Sequence, residues 1–412
     1  MHDVLVVGGG PSGAACAYWL AEAGHDVLVV EKKNYPREKT CGDGLTPRAV
    51  KQLDDMGLAD QLARHHRFGG LRSVAFGKTL ELEWPDVPGM PRHGYVVTRH
   101  DLDQAVAERA EKAGATLWQG TEALAPVLDE GVVRGAMVKD KASGSTREVR
   151  ARYVVVSDGA NSRFGRALGT ARNRDWPQGM AIRGYFTSPR HAEPWIESHL
   201  DVRDREGNVL PGYGWIFPVG DGRVNVGIGL LSTFHQWKAV NTTKLMEAFV
   251  DWAPKSWGIS PETACNAPTG GRLPMGLSVG PHAGPTYLVT GDAGGSINPF
   301  NGEGIAYAYE TGRMAAECMD LALRTNDGLA LADYDRRLHD EYGLYYKVAR
   351  AFVKIIGNPQ AMRLLVSTGM RSRLLMEWVL RIMANLLRPD EVGPAEAAYR
   401  AVAAIARLVP EP

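Results

Sequence analysis

Three glycines with the spacing Gly8-x-Gly10-x-x-Gly13 stand directly after the apolar run Val4 to Val7. That spacing suits a phosphate cradle. The first glycine permits a tight turn, the second lets a pyrophosphate approach the backbone, and the third lets a helix pack closely on the strand. A helix starting there offers free N–H groups and a positive dipole end to an anion. Glu31 closes the next apolar run, Val27 to Val30, where a carboxylate can accept hydrogen bonds from ribose hydroxyls. The pattern predicts a dinucleotide, but it does not separate FAD from NAD. Two further groups invite chemistry. Cys41 sits in the glycine-rich stretch Cys41-Gly42-Asp43-Gly44, as either a proton donor or a residue that only shapes a site. Tyr213, Trp215 and Phe217 alternate along Tyr213-Gly-Trp-Ile-Phe-Pro218. One strand face of aromatics can line a tunnel for an apolar ligand, or it can simply fill a core.

These residues need elements to hold them. Val4–Val7, a helix over Ala14–Ala23 ended by Gly24, and Val27–Val30 read as a βαβ start, so a parallel sheet is expected. Thr98 to Ala113 reads as a helix with Leu102, Val106 and Ala110 on one face. Tyr153–Val156 and Tyr287–Thr290 read as buried strands, and a helix is expected from about Ile305. From about 171 to 270 the chain is rich in Trp, Tyr and Pro with alternating patterns such as Arg223 to Leu230, which predicts an inserted antiparallel sheet. The expected organisation is therefore a discontinuous nucleotide-binding unit (1–75, 92–170 and 271–330), a β unit for substrate (76–91 and 171–270), and a C-terminal helical region (331–412).

Composition sets limits. With 412 residues and Lys plus Arg equal to Asp plus Glu at 47 each, two lobes are expected and net charge points to no polyanionic partner. No basic tract follows a phosphate backbone, so nucleic-acid binding is not expected. The four cysteines, Cys16, Cys41, Cys265 and Cys318, form no Cys-x-x-Cys pair. Neither a zinc site nor a disulfide framework is predicted, and a reducing cytoplasm is the expected setting. No charged leader precedes the first strand and no apolar run spans a bilayer. From Tyr345 to Arg388 there are eight basic residues, Lys347, Arg350, Lys354, Arg363, Arg371, Arg373, Arg381 and Arg388, against one acidic residue, Glu377. They are interleaved with Ile355, Ile356, Leu364, Leu365, Leu374, Leu375, Trp378 and Leu386. Such a segment either lies peripherally on the inner face of an anionic membrane or packs on the nucleotide unit with its charges solvated.

Two later motifs favour FAD. Ser157-Asp158-Gly159-Ala160-Asn161-Ser162 follows one buried strand. Gly291-Asp292-Ala293-Gly294, Asn298-Pro299 and Gly302-Glu303-Gly304 follow another. Both resemble the flavoprotein family of aromatic hydroxylases, geranylgeranyl reductases and flavin halogenases. The resemblance implies a Rossmann-like FAD-binding domain of the aromatic-hydroxylase type. It places the ribityl chain on Asp292 and the Gly302–Gly304 loop beneath the pyrimidine edge, where a helix N-terminus favours an anionic reduced flavin. It also places Arg99, with Asp103 four residues on, against the pyrophosphate. The chain departs from the family at Gly165, where an arginine is common; Arg163 and Arg166 flank it.

Tyr213-x-Trp215-x-Phe217-Pro218 with Gly227-x-Gly229, and Pro36…Cys41-Gly42-Asp43-Gly44 with Asp43 where many members have glycine, narrow the resemblance to geranylgeranyl reductases. Cys41 to Arg48, Leu210 to Pro218, Asn298 to Gly304 and Met370-Arg371-Ser372 are most similar to the actinobacterial menaquinone reductase group. The resemblance spans nearly the whole chain. It implies FAD reduced by an external donor, then hydride delivery to a C=C bond of an isoprenoid, one unit of a menaquinone side chain. Protonation accompanied by hydride capture is the expected route, with Cys41, Tyr213 or a water as acid and Tyr213, Trp215 and Phe217 along the tunnel. Gly8, Gly10, Gly13, Glu31, Arg99, Asp158, Gly291, Asp292, Pro299, Gly302 and Gly304 are the expected cofactor contacts. The alternatives are a geranylgeranyl diphosphate reductase, an aromatic hydroxylase, and a non-catalytic carrier of prenylated cargo. A flavin halogenase would more typically carry Trp-x-Trp-x-Ile-Pro.

Overall fold

The computed structural model describes residues 1–234, 237, 240–387 and 393–408. Arg388 lies outside the described residues. β1 (His2–Val7), α1 (Pro11–Glu22) and β2 (Val27–Val30) build the predicted unit, with β1 and β2 parallel. Gly24 turns the chain after α1 at φ +87°, a conformation that favours glycine. α1 is buried from Ser12 to Tyr18, because it is sandwiched between the sheet and a later helix and so carries mostly small residues on all its faces. α2 (Pro47–Asp55) follows the Cys41 loop, and β3 (Gly70–Ala75) and β4 (Lys78–Glu83) make a hairpin. α3 (Arg99–Ala113) starts where the Thr98 side chain accepts from the Asp101 amide and stops at left-handed Gly114.

β5 (Thr116–Trp118) joins β2 in parallel, β6 (Thr121–Asp129) and β7 (Val132–Asp140) form an antiparallel arm, and β8 (Thr146–Val156) runs parallel to β1. The second sheet contains β9 (Gln178–Thr187), β10 (Trp195–His199), β11 (Gly212–Pro218), β12 (Arg223–Leu231) and β13 (Thr269–Pro274). Its order is β13-β9-β12-β11-β10-β3-β4. All its neighbours are antiparallel except β10 and β3. The sheet thus takes in residues from Gly70 onward, earlier than the boundary expected at 76. The reason is that the β3–β4 hairpin finds its partner edge on β10, 125 residues away at Arg72–Glu197.

α4 (Thr242–Trp252) covers one face of this sheet. β14 (Tyr287–Val289) pairs with β8, giving the run β5-β2-β1-β8-β14 in the first sheet, and the two-residue strand Ala283–Gly284 pairs antiparallel beyond it. α5 (Ile305–Thr325) lies on α1. The C-terminal helices are α6 (Ala332–Leu338), α7 (Leu344–Ile356), α8 (Pro359–Gly369), α9 (Arg373–Met383) and α10 (Pro394–Leu408). Ser372 caps α9 by accepting from the Leu375 amide.

Candidate functional site

The glycine turn is built as a cradle. Gly8 is left-handed at φ +102°, and a Cβ there would overlap the Ser157 carbonyl. A Cβ on Gly13 would overlap the Gly8 carbonyl and the Ser157 hydroxyl, so α1 can approach β1 only with glycine at this place. Gly10 stands directly before α1, and Ser157 Oγ ties the turn by donating to the carbonyls of Val7 and Gly8 at 3.0 and 2.8 Å. Glu31 is buried at the end of β2 and receives the amides of Gly9 (2.9 Å) and Lys33 (3.0 Å).

Arg99 shares Asp103 with a second arginine. Its guanidinium forks onto Asp103 at 2.7 and 2.8 Å and is fully buried. The arginine facing the turn is Arg37, which pairs with Asp103 at 2.9 Å, lies 3.6 Å from a Cβ placed on Gly10, and leaves its Nε buried with no partner among the described residues. Asp158 Oδ2 accepts from the Phe164 amide while Oδ1 is likewise unpartnered. The departure at Gly165 has a steric cause: a Cβ there would overlap the Ser162 hydroxyl, which caps this short helical turn, and meet Thr170 Oγ1 at 2.9 Å. Gly291 is left-handed against Ser12, and Asp292 pairs with Lys39 at 2.9 Å. Pro299 and left-handed Gly302 shape the loop that leads through Gly304 into α5.

The free N–H end of α1, the unpartnered Arg37 Nε and Asp158 Oδ1, and glycines that admit no Cβ all fit the pyrophosphate and ribose of an FAD. Gly8, Gly10, Gly13, Glu31, Asp158, Gly291 and Asp292 come together at the carboxyl ends of β1, β2, β8 and β14, where ligands of open α/β sheets bind.

The aromatic strand faces this site. Tyr213, Trp215 and Phe217 form a ladder with centroid spacings of 5.9 and 6.3 Å. The Tyr213 hydroxyl donates to the Asn301 carbonyl at 2.6 Å. Cβ atoms placed on Gly42 and Gly44 meet Phe217 at 3.3 and 3.0 Å. The opposite face of β11, with Gly214 and Ile216, packs on Phe249 of α4 and its core. The aromatics therefore lie outside the core beneath α4, and Phe217 packs against the cluster that holds Phe68, Tyr185 and Ile196. Gly227, paired with Trp215 across the ladder, is the only residue type that leaves room for the indole.

Cys41 is partly buried, and its thiol accepts from the Asp43 amide at 3.3 Å. One amide, Asn225, links the loop to the aromatic strand: Trp215 Nε1 donates to its Oδ1 at 2.9 Å, and its Nδ2 donates to the Cys41 carbonyl (2.9 Å) and Asp43 Oδ2 (2.7 Å). The Tyr185 hydroxyl donates to the same carboxylate oxygen, and Arg183 donates to the Cys41 carbonyl at 3.1 Å. Burial pushes the Asp43 carboxyl up to about 6 against these stabilising contacts. Burial also pushes the Cys41 thiol and the Tyr213 phenol up. Arg37, Lys39 and Thr46 lie inside the Pro36–Arg48 stretch that carries the resemblance but were given no role there, and Arg183, Tyr185 and Asn225 were assigned none either. An alternation of Arg183 with Tyr185 along β9 was the one available clue.

The model of an FAD binding domain matches residues 1–193. The menaquinone reductase of Mycobacterium tuberculosis is 41% identical over 99% of this chain and 97% of that protein. A digeranylgeranylglycerophospholipid reductase of Methanopyrus kandleri is 30% identical over 86% of this chain and 90% of that protein. A geranylgeranyl bacteriochlorophyll reductase-like structure from Thermoplasma acidophilum superposes with a TM-score of 0.80 at 23% identity, covering 97% of this chain and 99% of that one.

Proposed function

Because the chain belongs to the menaquinone reductase family of FAD-dependent oxidoreductases, we propose that it saturates one C=C bond in the isoprenoid side chain of menaquinone. The observation that supports this reading is the aromatic ladder of β11, turned toward the Cys41 and Asn301–Gly302 loops. It offers an apolar tail a wall with the Tyr213 hydroxyl at one end. FAD, when bound, supplies the hydride equivalent. The chain's own residues bind and orient. The glycine turn and the α1 N-terminus take the pyrophosphate, Arg37 supplements them, Glu31 takes ribose hydroxyls, and Asp292 takes the ribityl chain once Lys39 shares it. Asn225 holds Trp215 and the Cys41 loop in one geometry, which fixes where a double bond can lie.

The same reading includes a docking face. Ile355, Leu364, Leu365, Leu374 and Leu375 are exposed, as are Lys354, Arg363, Arg371 and Arg373. Arg350 is not part of it, being buried with its guanidinium on the Gly276 carbonyl at 2.8 Å. Among the described residues no helix is long and apolar enough to cross a membrane, so contact would be peripheral.

The test is mass spectrometry of lipids after anaerobic incubation of the dithionite-reduced protein with menaquinone or with geranylgeranyl diphosphate. A gain of two hydrogens in an isoprene unit of menaquinone is expected. A gain on the diphosphate alone reassigns the substrate, and a purified protein without flavin returns the carrier reading.

A further inference from the structure

Saturating an isolated C=C bond takes a proton as well as a hydride, because an alkene has no group to hold carbanion charge. The acid must come from the chain or from water. Three protic side chains converge where the Cys41 loop, β11 and the Asn301–Gly304 loop meet. Tyr213 donates to the Asn301 carbonyl, two residues before Glu303. Thr46, two residues after Gly44, donates its hydroxyl to Glu303 Oε1. Glu303 Oε2 is shielded from solvent and has no hydrogen-bond partner among the described residues. Arg48, the cation that acts on Glu303, is spent on Glu310, which it grips at 2.7 and 3.1 Å.

We propose that Glu303 is the general acid of the reaction, with Thr46 fixing Oε1 and the transferred proton carried on Oε2. This rests on the reading of isoprenoid saturation above. In the step, the alkene π pair takes the proton from Oε2 and forms one C–H bond at the less substituted carbon. The hydride for the tertiary carbon, and its electron pair, would come from FAD bound in its reduced form, which would be oxidised by two electrons. Glu303 is left as a carboxylate and regains a proton from solvent.

Acid strength separates the candidates. Burial lifts Glu303 to about 7, so it still holds its proton near neutrality yet remains a carboxylic acid. The groups facing it are Arg48 of α2, which lowers it; Glu310 of α5, which raises it; and the neutral phenols Tyr213 of β11, Tyr307 of α5 and Tyr346 of α7. Burial raises the Tyr213 phenol and the Cys41 thiol above already high ordinary values. Both are therefore weaker acids than the Glu303 carboxyl. The Tyr213 proton is also committed to Asn301, and the Cys41 sulfur serves as an acceptor. Asp43 is the rival acid, raised to about 6, with Oδ2 held by Tyr185 and Asn225 on β9 and β12 and Oδ1 unpartnered among the described residues. Glu303 differs in standing on the Asn301–Gly304 loop whose Asn301 carbonyl Tyr213 grips, and the Asp43→Asn variant separates the two. The working acid form of Glu303 is lost as pH rises through about 7, so the saturation step should fall on the alkaline side.

Two readouts test this. Infrared difference spectra of the purified protein without substrate should show a carboxylic-acid C=O band that titrates near pH 7 and is missing in Glu303→Gln. In the anaerobically reduced holoenzyme given menaquinone, Glu303→Gln should slow single-turnover saturation by ~10²- to 10⁴-fold, with FAD content and reduction by dithionite unchanged. Glu303→Asp should recover part of the rate. If Glu303→Gln loses its flavin, Thr46→Val decides: removing a donor that favours the carboxylate should move the alkaline limb to higher pH. Wild-type saturation rates in Glu303→Gln, an unmoved limb in Thr46→Val, or loss of saturation in Asp43→Asn alone would overturn the assignment. A wild-type enzyme that saturates no isoprenoid would sink the parent reading, and this one with it.

Discussion

Asp43 shows how one residue can carry a local rule-break that its surroundings hold in place. It occupies a left-handed backbone position at φ 63°, where glycine costs least, and its carboxyl is wholly buried. The compensation is specific. The Tyr185 hydroxyl and the Asn225 amide donate to Oδ2, while Oδ1 stays unpartnered. Its pKa is raised to about 6 from 3.8, so the folded state binds its proton more tightly than the unfolded chain does. Its contribution to stability is therefore full below about pH 4 and is lost as pH rises through about 6. Two pK units correspond to about 3 kcal/mol. Asp43→Asn cannot ionise and should not show that loss. Denaturant midpoints of the two proteins should differ in the variant's favour by up to about 3 kcal/mol more at pH 8 than at pH 4. An equal difference at both pH values would mean that the carboxyl is not buried in the ionisable state described.

Among the elements, α1 has the tightest fit. It is pressed between β1 and α5, and close approach is possible because Gly13 meets the Gly8 carbonyl and Gly312 of α5 meets the Ser12 carbonyl. Gly13→Val should therefore lose FAD, read as flavin absorbance per protein, and lower the melting temperature, since overpacking costs about 1–3 kcal/mol. Gly312→Val should lower the melting temperature without removing the cradle's N–H groups, so bound flavin should persist at low temperature. This element was legible in the sequence, because glycine spacing and apolar runs are local signals. The aromatic face of β11 was legible as alternation, but alternation alone did not say which way it faces; Phe249 behind Gly214 decides that. Other features were not legible. Asn225 reads as an ordinary polar residue in a strand, and its partner Cys41 lies 184 residues away. Arg99 was signalled by its place in the chain, and it forks onto Asp103 four residues on within its own helix. Arg37 joins the same carboxylate because the loop after β2 folds back over Gly10.

For the whole molecule, the question is how a lipid reaches a site enclosed by two lobes. The C-terminal helices are joined to that site. Asn298 donates to the Tyr307 and Tyr345 hydroxyls and to the Met383 carbonyl, and Asn301 donates to the same carbonyl at 3.1 Å. α7 and α9 thus grip the loop that carries Tyr213's acceptor and Glu303. Their far surface, continued by α8, bears Leu364 at 67% and Leu374 at 58% exposure beside Lys354, Arg363, Arg371 and Arg373. Exposed aliphatics among cations match an anionic bilayer surface, where each Lys or Arg is worth about 1 kcal/mol. On that basis Arg363→Glu with Arg371→Glu should weaken co-sedimentation with phosphatidylglycerol-containing vesicles by about tenfold or more, and Leu364→Glu should weaken it further by removing buried aliphatic area. All three positions are exposed, so the melting temperature should hold within about 1–2 °C. Binding should also fall as salt rises, because the Debye length shrinks to about 8 Å at physiological ionic strength. Vesicle binding that is unchanged by the charge reversals, or equal on neutral phosphatidylcholine, would remove this face from the proposal and leave the lipid to enter elsewhere.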